Sequence, residues 1–133
     1  MSAEVWYLDS SALVKSVIDE PESGALMRGL TDKEQLVSCE LIRVETVRAV
    51  RVSDAAAVPR ARRALSTLTM IRLEDSLYDA AADLSPLSLR SLDAVHLAAA
   101  LSLGPDLRGL VTYDRRMAEA AAALGVSIQA PGR

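Results

Sequence analysis

Cysteine and aromatic residues are scarce in this chain of 133 residues. Cys39 is the single cysteine, so no disulfide can form within the chain, and a reducing compartment is expected. Phenylalanine is absent, and the aromatic residues amount to one tryptophan and three tyrosines. So few rings leave little material for a surface on which successive nucleic-acid bases could stack.

Basic charge is not in excess either. The net charge is −3 and the pI is about 5.1, which excludes a protein that holds nucleic acid by its overall charge alone. A polyanionic partner would need local positive charge, which a divalent cation could supply. The chain has no run of 18 apolar residues, and its first residues, MSAEVWYLDSS, lack a basic segment followed by an apolar one. We therefore expect no membrane span, no signal peptide and a cytoplasmic location.

Half of the residues are hydrophobic, and short apolar runs alternate with helix-forming segments along the chain. Strands are predicted at residues 5–9, 35–39, 69–73, 109–114 and 126–130. Helices are predicted at residues 11–20, 22–30, 40–52, 53–68, 74–84, 91–103 and 115–125. This alternation is typical of an α/β protein with a parallel sheet covered by helices on both faces. Without a repeat or a low-complexity linker, residues 1–133 are expected to form a single domain.

Two acids stand where a predicted strand gives way to a helix. Asp9 follows the run VWYL, and Asp114 follows LVTY. The carboxyl ends of parallel strands lie at one edge of a sheet, where α/β proteins bind their ligands. Helix capping explains each acid separately, because an aspartate before a helix often accepts hydrogen bonds from the first N–H groups. Ser10 could cap the first helix as well.

Two further acids lie on apolar helix surfaces. Asp93 precedes AVHLAAAL, and burial of an unpaired carboxylate there costs several kcal/mol. Its place in the first turn of the helix offsets only about 0.3–1 kcal/mol of that. Glu45 falls between Leu41 and Ile42 on a helical wheel, in the middle of the apolar side. The alternative explanations for Glu45 are an ion pair with Arg48, three residues further on, or a position at the rim of the apolar side that reaches water.

These four acids favour a hard metal ion if the fold brings them together. Two carboxylates about 5 Å apart repel by roughly 3 kcal/mol at an effective dielectric constant of about 20. A cluster of four would bind protons or a cation, and oxygen-only ligands favour Mg²⁺ or Mn²⁺. The sequence has no grouping of histidine and cysteine that would predict zinc.

Four stretches of the sequence carry a resemblance to a known family. They are YLDSSALVK, SCELIRVETVRAV, LRSLDAVHLAAAL and TYDRRMAEAAAALGV. Their order and spacing resemble the PIN domain and, within it, the VapC toxins of bacterial toxin–antitoxin pairs. The resemblance covers essentially the whole chain and implies a three-layer α/β/α sandwich with a central five-stranded parallel sheet. The acidic quartet of the family matches Asp9, Glu45, Asp93 and Asp114.

The same resemblance implies Mg²⁺- or Mn²⁺-dependent endonucleolytic cleavage of RNA, either tRNA or ribosomal RNA, which would stop translation and growth. A metal held by Asp9, Asp93 and Asp114 would lower the pKa of a bound water, which then attacks the phosphodiester. Glu45 would orient a water or complete a second metal position. The products expected from attack by water are a 3′-hydroxyl and a 5′-phosphate.

Several other residues receive roles from their position near these motifs. Ser10 and Thr112 would orient the carboxylates, and Thr112 matches a small hydroxyl residue often found in the family's site. RNA contacts are expected from nearby basic residues, namely Lys15, Arg48, Arg51 and Arg90. The alternative for these basic residues is an ordinary solvated surface charge.

The resemblance also implies partners. A VapC-like chain pairs with a small VapB-like antitoxin and commonly forms a homodimer. The antitoxin is expected in a groove between the first helices and residues 40–68. The alternative function is a PIN-like module that binds RNA or a partner and acts by occlusion, without cutting.

The single histidine and the single cysteine are expected to be structural. His96 lies three residues after Asp93, and an apolar helix can bury a neutral imidazole that makes one hydrogen bond. Cys39 is expected to pack as a small hydrophobic residue. A phospho-receiver module, a different class of similar size, would need two adjacent acids after the first strand, whereas Asp9 is followed by serines.

Overall fold

A single sheet of five parallel strands runs through the computed structural model, which describes residues 4–133. The strands are β1 (Val5–Leu8), β2 (Gln35–Cys39), β3 (Thr69–Ile71), β4 (Leu107–Val111) and β5 (Ile128–Gln129). Their order across the sheet is β3-β2-β1-β4-β5, and every neighbouring pair is parallel. The first strand of the chain is therefore the central one, and it pairs with a strand about 100 residues away.

Helices cover both faces of this sheet. They are α1 (Ser10–Val17), α2 (Ser23–Thr31), α3 (Ile42–Ser53), α4 (Val58–Ser66), α5 (Asp75–Ala82), α6 (Ser91–Leu101) and α7 (Arg115–Ala123). Buried residues of α1 to α4 pack on one face, and those of α5 to α7 pack on the other. The predicted three-layer α/β/α sandwich is confirmed.

Strand β1 supplies side chains to both layers of helices. Val5 and Tyr7 point into the core below α5 to α7, whereas Trp6 and Leu8 point into the core below α1 and α2. This alternation is the two-residue period of a strand that is buried on both sides.

The most apolar helix of the fold is α6, and it is also the one nearest the centre of its layer. Every residue from Ala94 to Ala100 is buried, and the small alanine side chains let the helix approach the sheet closely. At 11 residues, α6 is far too short for a transmembrane segment. No helix within residues 4–133 has both the length and the apolar character needed to cross a lipid bilayer.

Several element boundaries differ from those predicted. The helix expected over residues 11–20 ends at Val17, because the backbone of Ile18 is extended. The single helix expected over residues 53–68 is divided. Asp54 is extended and accepts a hydrogen bond from Ala56 N, which starts a 3₁₀ turn before α4 begins. The fourth strand begins two residues and ends three residues earlier than expected, which leaves Thr112, Tyr113 and Asp114 in the loop after it.

A glycine in β4 makes room for the only tryptophan. Gly109 pairs with Trp6 across the sheet, and a Cβ atom at Gly109 would lie 2.6 Å from Cζ3 of Trp6. The same atom would lie 2.8 Å from the carbonyl oxygen of Ser127, which is part of the backbone and cannot move aside.

We expect Gly109→Ala to lower the free energy of unfolding by about 1–3 kcal/mol, the usual penalty for overpacking. Urea unfolding followed by the fluorescence of Trp6 measures this change. The matched control is Gly24→Ala on the exposed side of α2, where a Cβ atom meets only the tip of Arg28, at 3.3 Å. The control should leave stability unchanged or raise it, and equal stability of the two variants would contradict the packing argument.

Candidate active site

Two of the predicted acids lie at the carboxyl ends of adjacent strands. Asp9 follows β1 and caps α1, with Oδ1 accepting a hydrogen bond from Ala12 N at 3.2 Å. Asp114 follows β4 and caps α7, with Oδ1 accepting from Met117 N at 3.1 Å. The capping explanation therefore holds for both acids. It also places both carboxylates at one edge of the sheet, which we call the site edge.

Thr112 joins these two strand ends. Its hydroxyl donates to Asp9 Oδ2 and accepts a hydrogen bond from the backbone N–H of Asp114 at 3.1 Å. Asp9 is 4% exposed, and both of its oxygens are engaged. The carboxylate of Asp9 is therefore held in one orientation from two sides.

The serine that holds Asp9 is Ser11 rather than the predicted Ser10. Ser11 Oγ donates to Asp9 Oδ1 at 2.6 Å and accepts from Tyr113 N at 2.9 Å. The side chain of Ser10 makes no hydrogen bond to residues 4–133. A signal for Ser11 was present in the sequence, because a hydroxyl in the first turn of a helix can reach back to the capping side chain.

Glu45 reaches the same edge from α3 and is bonded to a buried histidine. Its Oε1 accepts a hydrogen bond from His96 Nε2 at 2.5 Å, and this contact replaces the ion pair with Arg48 that was the alternative for Glu45. The other ring nitrogen, Nδ1, lies 2.7 Å from the hydroxyl of Tyr7 and 3.6 Å from Cys39 Sγ. His96, Tyr7 and Cys39 are all buried.

The environment of His96 favours its protonated form. Burial alone would lower the pKa of His96. The hydrogen bonds to Cys39 and Glu45 and the charge of Glu45 outweigh this effect and raise the pKa to about 10. Nε2 donates to Glu45 whether or not the ring carries a second proton. His96 was expected to be buried with one hydrogen bond. The structure buries it but gives it more than one, including those to Tyr7 and to Glu45, which belongs to the acidic quartet.

Asp93 lies in the first turn of α6, close enough to the other three acids to be affected by their charges. Burial raises the pKa of Asp93, and so do the negative charges of Asp114, Asp9 and Glu45. Burial also raises the pKa of Asp9, although Ser11 and Thr112 donate hydrogen bonds to it. The nearby acids thus make Asp93 harder to ionise, and burial has the same effect on Asp9.

The acids of the site edge are not arranged as a preformed metal-coordination site. Within residues 4–133, no three acidic, histidine or cysteine side chains converge as the ligands of one ion do. The donor chemistry nevertheless fits a hard divalent cation, because the site edge offers carboxylate and hydroxyl oxygens and His96 is already engaged. A positive charge bound at this edge would offset the repulsion between Asp93 and the other three acids.

The basic residues predicted to contact RNA lie in different environments. Lys15 is 8% exposed, and its ammonium group pairs with Glu20 at 2.6 Å and Glu22 at 3.2 Å, so it is not available for RNA. Arg48 and Arg51 are exposed on α3 and line a depression of 370 Å³. Arg90 is exposed at the N-terminus of α6, three residues before Asp93.

Replacement of Asp93 by asparagine should raise Tm by a few degrees at pH 7. The folded-state pKa of Asp93 lies above its ordinary value, so the ionised carboxylate lowers the stability of the fold at neutral pH. That penalty disappears as the pH falls through the folded-state pKa, so the gain should shrink at pH 4. Calorimetry of Asp93→Asn at both pH values measures it. Asp106→Asn, an exposed site at the opposite edge of the sheet, should change little, and a lower Tm for Asp93→Asn would contradict the expectation.

Comparison with known proteins gives a consistent result. The family model of the PIN domain matches residues 6–123. Ribonuclease VapC46 of Mycobacterium tuberculosis is 47% identical over 125 residues, which cover 94% of this chain and 96% of that protein. Ribonuclease VapC35 of the same organism is 40% identical over 131 residues, which cover 96% of this chain and 97% of its own.

Solved structures match in fold at lower identity. The crystal structure of M. tuberculosis VapC20, described as a toxin that cleaves the sarcin–ricin loop, superimposes with a TM-score of 0.74 at 14% identity and covers 92% of this chain and 96% of its own. A toxin–antitoxin complex from Klebsiella pneumoniae gives a TM-score of 0.67 at 18% identity, over 94% of this chain and 96% of the other. The family match and the identity to its relatives make this chain a member of the PIN domain family, in the group of VapC ribonucleases.

Proposed function

We propose that the chain is the toxin of a type II toxin–antitoxin pair and that it hydrolyses RNA phosphodiester bonds as a metal-dependent endoribonuclease. One PIN domain over residues 1–133 would carry the whole activity. The main support is that four acids from separate parts of the chain lie near one another at the site edge: the charges of Asp114, Asp9 and Glu45 all raise the pKa of Asp93. Repulsion between these acids lowers the stability of the fold. A function that requires a bound cation, such as cleavage of a polyanion, would explain why the acids are grouped.

Each acid would have a distinct part in this reaction. Asp9, Asp93 and Asp114 would hold Mg²⁺ or Mn²⁺, and Glu45 would orient a water or complete the coordination. A cation bound there supplies a water of lowered pKa and offsets charge on the phosphate. Ser11 and Thr112 fix the direction of the Asp9 carboxylate, so that it need not reorganise during the reaction.

Local positive charge would bring RNA to this acidic protein. Residues 42–66, which span α3 and α4, contain six arginines and two acids, a net charge of +4 in a chain whose total is −3. Arg48 and Arg51 belong to this segment, and both are exposed. We propose that these two arginines and Arg90 contact the phosphate backbone on either side of the scissile bond.

Recognition would depend on the shape of the RNA. With four aromatic residues in the chain, of which Trp6, Tyr7 and Tyr113 are buried, stacking of a long single strand has little support. A folded RNA with a short exposed loop fits better, and both tRNA and a ribosomal RNA loop remain candidates. Sequencing of RNA 5′ ends after induction of the protein would identify the target.

A VapB-like antitoxin would be the protein partner, and a homodimer the assembled state, in the cytoplasm where the RNA is found. The exposed apolar residues of α3 support a protein contact in the proposed groove. Val44 is 59% exposed and Val52 is 90% exposed. Apolar side chains of this kind are typical of surfaces that another protein covers.

Nuclease activity should depend on Asp93 and on a divalent cation. We expect the purified protein with Mn²⁺ or Mg²⁺ to cut a structured RNA to products with 3′-hydroxyl and 5′-phosphate ends, and EDTA to stop the reaction. Asp93→Asn should reduce the rate by more than about 100-fold, above the loss typical of residues that only support a metal ligand.

Asp106→Asn is the matched control for this assay, because it removes an exposed aspartate at the opposite edge of the sheet. Growth of cells that express each variant distinguishes cutting from occlusion. If Asp93→Asn abolishes cleavage but still arrests growth, the occlusion mechanism replaces the proposed one.

The two exposed arginines of α3 should contribute mainly electrostatic affinity. The double variant Arg48→Ala, Arg51→Ala should weaken RNA binding and reduce the slope of log K against log salt by about 1 for each lost phosphate contact. Fluorescence anisotropy at several salt concentrations, with the cleavage-deficient Asp93→Asn chain as the background, measures both. Arg108→Ala, at the opposite edge, should leave the slope unchanged, and equal slopes for all three proteins would remove these arginines from the RNA surface.

A further inference from the structure

A buried polar chain runs from the sheet to Glu45. The hydroxyl of Tyr7, on β1, lies 2.7 Å from Nδ1 of His96, on α6, and Nε2 of His96 lies 2.5 Å from Glu45 Oε1, on α3. The rings of Tyr7 and His96 also meet edge to face, with centroids 5.8 Å apart and planes at 77°. Three elements of the fold thus meet at one imidazole.

The position of His96 leaves it no direct contact with a substrate. Its side chain is 1% exposed, and Tyr7 below it is completely buried. Glu45, in contrast, has a side chain that is 20% exposed. His96 can therefore influence chemistry at the site edge only through the group that it holds.

Glu45 has no other fixed support. Among residues 4–133, the imidazole of His96 is the sole hydrogen-bond partner of its carboxylate. A glutamate has three rotatable side-chain bonds, and without a partner it would sample many positions. Asp9, by comparison, is fixed by donors on both of its oxygens.

We propose that His96 is a positioning residue for the site, holding Glu45 Oε1 so that the other oxygen, Oε2, faces the cation and the RNA in a single orientation. The proposal rests on the function proposed above. The phenol of Tyr7 fixes the ring from behind, so that Tyr7 and His96 act on Glu45 as one unit. This arrangement is the carboxylate–histidine pairing found around metal ligands, with the histidine as the supporting group and the carboxylate as the ligand.

Two substitutions of His96 separate positioning from bulk structure. In His96→Gln the terminal amide nitrogen lies near the place of Nε2 and can still donate to Glu45. In His96→Asn the amide is equally polar but one methylene shorter, so it matches Nδ1 and cannot reach the carboxylate. Leu26→Ala, which removes a fully buried side chain on the other face of the sheet, controls for loss of stability.

We expect His96→Asn to lower kcat for RNA cleavage by about 10–100-fold with KM unchanged, the loss typical of a residue that supports a metal ligand. His96→Gln should recover at least about ten-fold of that loss, because it restores the donor. Binding of Mn²⁺ to the RNA-free protein, followed by electron paramagnetic resonance, should rank the proteins in the same order. Leu26→Ala should lower Tm and leave both kcat and Mn²⁺ affinity near those of the wild type.

The proposal is overturned if His96→Gln and His96→Asn lose kcat and Mn²⁺ affinity equally, or if neither loses any. If His96→Asn does not fold, Tyr7→Phe takes its place, since it keeps the ring and removes only the hydroxyl at Nδ1. A drop in kcat at constant KM for Tyr7→Phe then supports the proposal, and wild-type kinetics overturn it. A wild-type protein that binds Mn²⁺ but cuts no RNA contradicts the proposed function instead, and the order of Mn²⁺ affinities still decides the role of His96.

Discussion

The site edge depends on one property of parallel sheets, which is that neighbouring strands end, and the helices after them begin, at the same edge. Asp9 and Asp114 are about 100 residues apart in the sequence, but β1 and β4 are neighbours in the sheet. Each carboxylate caps the helix that follows it, and Thr112 bonds to both loops. Helix capping and the grouping of acids are therefore two results of the same geometry, and the first does not argue against the second.

The grouping of the acids has an energetic penalty that the rest of the molecule does not remove. Burial and three neighbouring negative charges make Asp93 harder to ionise, and the imidazole of His96 is bonded to Glu45 rather than to Asp93. The positive charge of the chain is concentrated instead on α3 and α4, where it faces solvent. Within residues 4–133, no arginine of α3 or α4 forms an ion pair with these four acids, which leaves the acids available to a cation and the arginines available to phosphate.

Much of this organisation could be predicted from the sequence. The alternation of strands and helices predicted the sheet and its two layers, and the positions of Asp9 and Asp114 at strand ends predicted a shared edge. Glu45 was expected in the middle of the apolar side of its helix, but the buried residues of α3 are Ile42, Thr46 and Val50, and Glu45 lies half-buried beside them.

Contacts between distant side chains could not be predicted in the same way. The choice between Ser10 and Ser11 depends on the direction of a side chain in the first helical turn, which adjacent sequence positions do not distinguish. Lys15 lies near a motif, but Glu20 and Glu22 fold back onto it at the turn between α1 and α2. The bond between His96 and Glu45 joins residues 51 positions apart and depends on how α3 and α6 meet across the edge of the sheet.

The alternation of side chains along β1 makes the alignment of this strand unusually demanding. The indole of Trp6 occupies the space left by Gly109 on one side, while the phenol of Tyr7, the next residue, meets the imidazole of His96 on the other. A shift of one residue would exchange the two faces, bringing the larger ring against α6 and leaving the gap in β4 without its occupant. An insertion or deletion within these four residues would therefore disturb the packing of the sheet and the support of Glu45 together.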